Sequence, residues 1–257
     1  MRKGALALVS AISLALLVGC AITQPYRAHP EFEERARQIK TVALIPPDVK
    51  VYELSAGGVR QEMDQWSETA RGNVVAAVRK HLEAERGLAL KEFDPARSPA
   101  AQQEFQETRP LFDAVGLSAM LHTYGEQTQT NFETKLQRFE YSLGPLPALK
   151  EAAGADAFLF VRAVDHVATG GRVALTVLGV LVGAATGVII VPRPGGTLIV
   201  TALVDPRSGD ILWFSRRGSG AGYDLRDPAS AEGLVADVFE EFMKTAGSGA
   251  RPPARAP

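Results

Sequence analysis

Hydrophobic positions along the chain fall into two periods around one long apolar run. The helical period is clearest at residues 66–86, where Ala70, Val74, Val78 and Leu82 recur at four-residue spacing among Arg71, Arg79, Lys80 and Glu83. That spacing predicts an amphipathic helix about five turns long, with Ser67 as its N-cap and Gly87 as its stop. Leu234, Val235, Val238, Phe239 and Phe242 share one face of a second helix, opened by Asp227 as N-cap and Pro228 at the first helical position. Shorter helical pieces are predicted at 100–107, 110–121 and 145–154, whereas the GEQTQTNFETK stretch at 125–135 has little to bury and is expected as an exposed loop or partly solvated helix.

Short apolar runs bounded by turn residues predict strands at 41–45, 88–93, 156–164, 197–204 and 211–216. The first stops at Pro46-Pro47 and the second at Asp94-Pro95. The last two are joined by Asp205-Pro206-Arg207-Ser208-Gly209-Asp210, in which Pro206 fixes φ and Gly209 accepts the positive φ that closes a β-hairpin. This order of elements predicts an α/β fold: a single mixed β-sheet of about five strands with helices packed on it, plus an inserted apolar Gly-rich helix.

That insert is GGRVALTVLGVLVGAATGVIIV at 170–191, continuously apolar or small from residue 173 onward. A run of this kind inside a domain is usually core. Nearly all of its faces are apolar, however, and a helix covering a sheet should show one polar side. Gly179, Gly183 and Gly187, with Thr176 nearby, place small residues along one stripe that permits close contact with another helix or with a membrane. A β-hairpin turning at 183–187 is the structural alternative, although strands facing lipid on one side and water on the other should alternate, and these do not.

Composition changes the picture little: 46% hydrophobic and 22% charged residues in a chain of 257 suit one sizeable core. The amino terminus changes it more. Arg2 and Lys3 precede an apolar segment at 5–18, closed by Leu17-Val18-Gly19-Cys20. This resembles the lipobox of bacterial lipoproteins, and the resemblance implies cleavage before Cys20, acylation of its thiol and of the freed amine, and, with Ala21 following, an outer-membrane anchor with the domain in the periplasm. Cys20 is the only cysteine, so no internal disulfide can form. Removal of Arg2 and Lys3 leaves 26 basic against 29 acidic residues, a net of -3, which offers no footprint for nucleic acid. The expected organisation is a signal peptide at 1–19, a tether at 20–40, an α/β domain at 41–246 containing the insert, and a disordered tail at 247–257.

The opening VALIPP, the GADAFLFVRAVD strand, the LVDPRSGDILWF hairpin and the closing helix resemble periplasmic lipoproteins of the curli-secretion, penicillin-binding-protein-activator and TolB amino-terminal type. The resemblance implies non-enzymatic envelope work with an envelope protein partner or a homo-oligomer, and carries no functional residue onto this chain.

Candidate chemistry is sparse. His29, His81, His122 and His166 are scattered with no second ligand at metal spacing, so neither metal nor cofactor is expected. Asp165-His166 is half of a conceivable acid-base pair, and Gly218-Ser219-Gly220-Ala221-Gly222 invites a phosphate-loop reading, but the final glycine of GxGxxG falls on Tyr223 and no Walker lysine or GxSxG elbow is present. Arg216 and Arg217 beside it read as a solvated strand end. The expected function is a non-enzymatic accessory or assembly component of an envelope complex, lipid-anchored through Cys20, with Gly179, Gly183, Gly187 and Thr176 as the oligomer or membrane contact. An oligomeric secretion pore and an envelope hydrolase are the alternatives.

Overall fold

A computed structural model of the chain describes residues 26–86, 88–124, 132–187, 195–220 and 222–247. Among them, eight strands form one sheet: β1 (Tyr26–Ala28), β2 (Thr41–Leu44), β3 (Asp48–Leu54), β4 (Arg60–Glu62), β5 (Ala89–Glu92), β6 (Ala157–Ala168), β7 (Gly195–Val204) and β8 (Ile211–Ser219). The helices are α1 (Phe32–Ala36), α2 (Asp64–Arg86), α3 (Pro99–Thr123), α4 (Glu133–Gln137), α5 (Pro147–Ala153), α6 (Gly170–Thr186) and α7 (Pro228–Gly247). The fold is α/β on a mixed sheet, as the pattern predicts, with three strands more than expected.

Strand β6, 12 residues long, is the axis of the sheet. One edge pairs antiparallel with β7, and β7 with β8. The other edge pairs in parallel first with β2, at Ala157–Leu159, and then with β3, at Arg162–Ala168. Thus β2 and β3 are one extended run interrupted at Pro46-Pro47, which have no N–H to offer the ladder. Strand β5 covers the outer edge of β2, and β4 that of β3.

Alternation along β6 sorts the core into two layers. Ala157, Leu159, Val161 and Ala163 face α2 and α7, where Val74, Val78, Leu234, Val238 and Phe242 are buried. Phe158 and Phe160 face the other way, onto Phe112 and Ala119 of α3 and Leu149 of α5. Strand period and helix period therefore meet on both faces of one sheet.

Several local expectations change. Ser67 lies inside α2 and is buried, and its hydroxyl accepts from the Val51 amide of β3 at 2.9 Å, so it joins helix to sheet instead of capping the helix. The pieces expected at 100–107 and 110–121 are one helix, α3, capped by Ser98 and running through Pro110. Pro110 and Gln106 are both exposed, so the carbonyl that Pro110 leaves without its helical donor faces solvent.

The tether expected at 20–40 is contradicted for residues 26–40. Strand β1 pairs antiparallel with β8, Phe32 is 1% exposed in the core, and Arg35 of α1 pairs with Asp205 and Asp210 and donates to Ser208 at the β7–β8 turn. A polar sequence is held there by sheet hydrogen bonds and one ion-pair cluster, which hydrophobic periodicity does not report. That turn is the expected hairpin, with Gly209 at φ 77°. Asp227 caps α7 as expected, its carboxylate accepting from Ser230 N at 2.7 Å. The leader with its lipobox, the Gly87 stop, residues 125–131 of the polar stretch, 188–194 of the insert, and the tail from 248 lie outside the described residues.

Candidate functional site

The feature that stands out is the insert. Residues 170–186 form helix α6, which overturns the β-hairpin alternative. Thr169 caps it, its hydroxyl accepting from the Arg172 amide at 3.3 Å, and Gly187 ends it in the left-handed conformation, φ 76°, with its N–H donating to Gly183 O at 2.8 Å. A helix that opens on a threonine cap and closes on a left-handed glycine has both ends specified locally.

Its root is fixed to the sheet. The Thr169 amide donates to Leu54 O at 3.0 Å, the Arg172 guanidinium donates from Nη1 to Ser55 O at 3.2 Å, and Ala56 lies against Gly171. Arg172 is buried at this junction between β6 and the β3–β4 hairpin. Above it the helix offers its side chains to the outside. Val173, Leu175, Val177, Leu178, Val180, Leu181 and Val182 are 45–63% exposed. The expectation that such a run is usually core is therefore overturned. The root of the helix is held by the β3–β4 hairpin, and beyond it the aliphatic side chains stay exposed among the described residues.

The small residues fall on the opposite side of the same helix. Arg172 and Gly183 are buried and Thr176 and Gly179 half-buried, so this stripe is the less exposed face. Gly187 is exposed and lies beyond the last helical residue. No described helix is long and apolar enough to cross a membrane.

The other candidates disperse. Asp165 and His166 point to opposite faces of β6. Asp165 is buried on the α2–α7 side, accepting from Thr197 Oγ1 at 2.8 Å and from Leu225 N at 3.0 Å, and burial pushes its carboxyl above the usual carboxylate range. His166 stacks on Tyr52 on the other side, with ring centroids 5.4 Å apart. Gly218 and Ser219 are residues of β8, opposite Leu198 and Thr197, and do not form a phosphate-binding turn. Ser219 shares the face of Asp165, away from His166, so the convergence a hydrolase needs is missing. Arg216 is exposed, and Arg217 lies 4.0 Å from Asp237.

The remaining histidines each have local company. His29 Nδ1 accepts from the Glu31 amide, and His122 sits between Ser118, Tyr141 and the ring of Phe132. His81 lies on α2. Among the described residues no cluster of three His, Cys, Asp or Glu side chains could hold a metal ion.

No protein family and no curated protein matches the chain. Solved structures similar to it include the PelC dodecamer from Paraburkholderia phytofirmans, 10% identical over 79% of this chain and 89% of that one, with a TM-score of 0.34. Lipoprotein GNA1162 from Neisseria meningitidis is 15% identical over 79% and 98%, TM-score 0.32. The LpoB C-terminal domain from Salmonella enterica is 12% identical over 75% and 96%, TM-score 0.25. These likenesses are distant.

Proposed function

We propose that this chain is a non-enzymatic accessory or assembly component of the bacterial envelope, anchored to the outer membrane by lipid on Cys20 with its α/β domain, 26–247, in the periplasm. The observation that carries this reading is α6, a rooted helix that keeps seven aliphatic side chains 45–63% exposed. Exposed apolar surface of this extent on a folded domain marks a contact with another body, membrane or protein. The leader ending in Leu17-Val18-Gly19-Cys20 supplies the envelope address. The separation of Asp165, His166 and Ser219 disfavours the hydrolase alternative. Gly179, Gly183, Gly187 and Thr176 are the proposed close-approach positions of the helix.

Metabolic labelling with a fatty acid tests the anchor. Cys20→Ser is expected to abolish the label and release the protein from membranes. Undiminished labelling of that variant would refute the anchor.

A further inference from the structure

The exposed side of α6 has a definite shape. At about 100° per residue, its seven exposed aliphatic positions sweep an arc of roughly 220°, while Arg172, Thr176, Gly179 and Gly183 occupy about 60° on the far side. A helix seated on one partner helix or sheet buries a stripe roughly 100° wide. Apolar side chains over twice that arc suit surroundings that wrap the helix, and a lipid phase does so.

The position of α6 in the sheet points the same way. It leaves the C-terminal end of β6, level with Leu54 at the end of β3 and with Gly195 at the start of β7. Strand β1 runs antiparallel to β8, so Tyr26, opposite Ser215, is the end of β1 nearer to α6. Along the register, Tyr26 stands opposite Ser215, Ser215 opposite Thr201, and Thr201 opposite Val161. From Val161 to Ala168 the rise is about 23 Å at ~3.3 Å per residue. The six residues from Tyr26 back to Cys20 reach about 20 Å when extended. Cys20 can thus stand nearly level with the root of α6, three strands away from it.

We infer that the aliphatic surface of α6 beds into the acyl region of the same leaflet that holds Cys20, so that the domain meets the membrane at two points on one end of its sheet. The helix lies in that leaflet and does not cross the bilayer, since its 17 residues extend about 25 Å against a hydrocarbon core of about 30 Å. This contact deepens the proposed function and rests on its lipid anchor, and both are read out separately below.

The test uses the full mature protein purified from membranes and reconstituted into phosphatidylethanolamine/phosphatidylglycerol vesicles. A polarity-sensitive fluorophore is placed by Leu181→Cys on α6 or by Arg207→Cys at the β7–β8 turn, the opposite end of the sheet. Both positions are exposed, so neither substitution disturbs the core. Acylation of Cys20 is read on the same samples by mass spectrometry of the N-terminal peptide. The label at 181 is expected to be quenched several-fold more strongly by acyl-chain nitroxide lipid than the label at 207, and several-fold less by aqueous iodide. If the 181 label is as open to iodide as the 207 label while Cys20 carries its acyl chains, the lipid contact is overturned and the anchor stands. Shielding at 181 from both quenchers assigns the helix to a second copy and overturns the lipid contact as well. Nitroxide quenching at 181 without acyl mass on Cys20 refutes the anchor and overturns the two-point seating that rests on it.

Discussion

Asp165 offers a test of whether the polar group buried in the sheet is chemical or architectural. Its two oxygens accept from Leu225 N and Thr197 Oγ1, and the single Thr197 hydroxyl hydrogen is shared with Tyr223 O at 3.1 Å. In Asp165→Asn the amide oxygen still accepts from Leu225 N. The new NH2 group donates to Thr197 Oγ1, which frees the hydroxyl hydrogen for Tyr223 O. Every donor and acceptor that the wild-type site contains keeps a partner, one of the two new N–H bonds is left over, and the buried charge is gone. Asp165→Ala instead strands the Leu225 amide, a loss of about 1–3 kcal/mol. With an m-value of about 2 kcal/mol per molar urea, the alanine midpoint falls by roughly 0.5–1.5 M.

The pH dependence follows from the raised carboxyl, for which burial is the largest cause and Asp224 adds, while Leu225 N, Thr197 and Arg226 oppose. The folded state holds this proton over a window from the ordinary carboxylate value, about 4, up to the raised one. Across that window the folded state binds more protons than the unfolded state, so the wild type loses stability as pH rises. The asparagine variant lacks the group. Its urea midpoint relative to wild type should therefore climb as pH rises from the ordinary carboxylate value, about 4, through the raised one. Asp156 and Asp210, carboxylates held below their usual range, act in both proteins and cancel in the difference. An asparagine variant as unstable as the alanine variant at the upper pH would refute this reasoning, because the network would then require the ionised acid.

Three further outcomes are expected. Gly209→Ala would drive a Cβ into the backbone of Gly144 at φ 77° and should cost about 2–4 kcal/mol in urea unfolding. Arg35→Ala removes the partner of Asp205, Asp210 and Ser208 and should cost about 1–3 kcal/mol by thermal unfolding. Burial raises the Asp210 carboxyl, but Ser208 and Arg35 outweigh it and hold it below the usual range, so the loss should be full above the ordinary carboxylate value and shrink as pH falls through the lowered one. Vesicles carrying the mature protein should retain an entrapped dye, as a helix bedded in one leaflet opens no path across the bilayer; release would favour the oligomeric pore.

Much of the fold is legible in the sequence because it rests on local rules. The strands at 41–45, 156–164, 197–204 and 211–216 are runs of β-formers between turn residues, and Ala70, Val74, Val78 and Leu82 declare the buried side of α2 by spacing alone. Strand β3 carries a weaker signal, the alternation of Val49 and Val51 with polar neighbours, masked by Pro46-Pro47 immediately before it. Strand β1 carries almost none. Tyr26-Arg27-Ala28 becomes a strand because β8 presents an open edge, and pairing there satisfies backbone groups whatever the side chains are.

The candidate site divides in the same way. The sequence by itself favoured a helix within 170–191 and left a β-hairpin as the alternative, and it placed Thr176, Gly179 and Gly183 on one stripe of such a helix, since that is the helical period; the structure decides for the helix, with Thr169 and Gly187 as its caps. Only the tertiary structure decided what the helix faces. Rooting Arg172 against Ser55 turns the small-residue stripe toward the less exposed side and leaves the aliphatic arc outside. Likewise, Asp165 and His166 are neighbours in sequence, but continuation of β6 to Ala168 by pairing with β3 sends them to opposite faces. Periodicity fixes which residues share a face, because it is a property of the backbone they sit on. Where that face points depends on the elements packed around it, which lie far away along the chain.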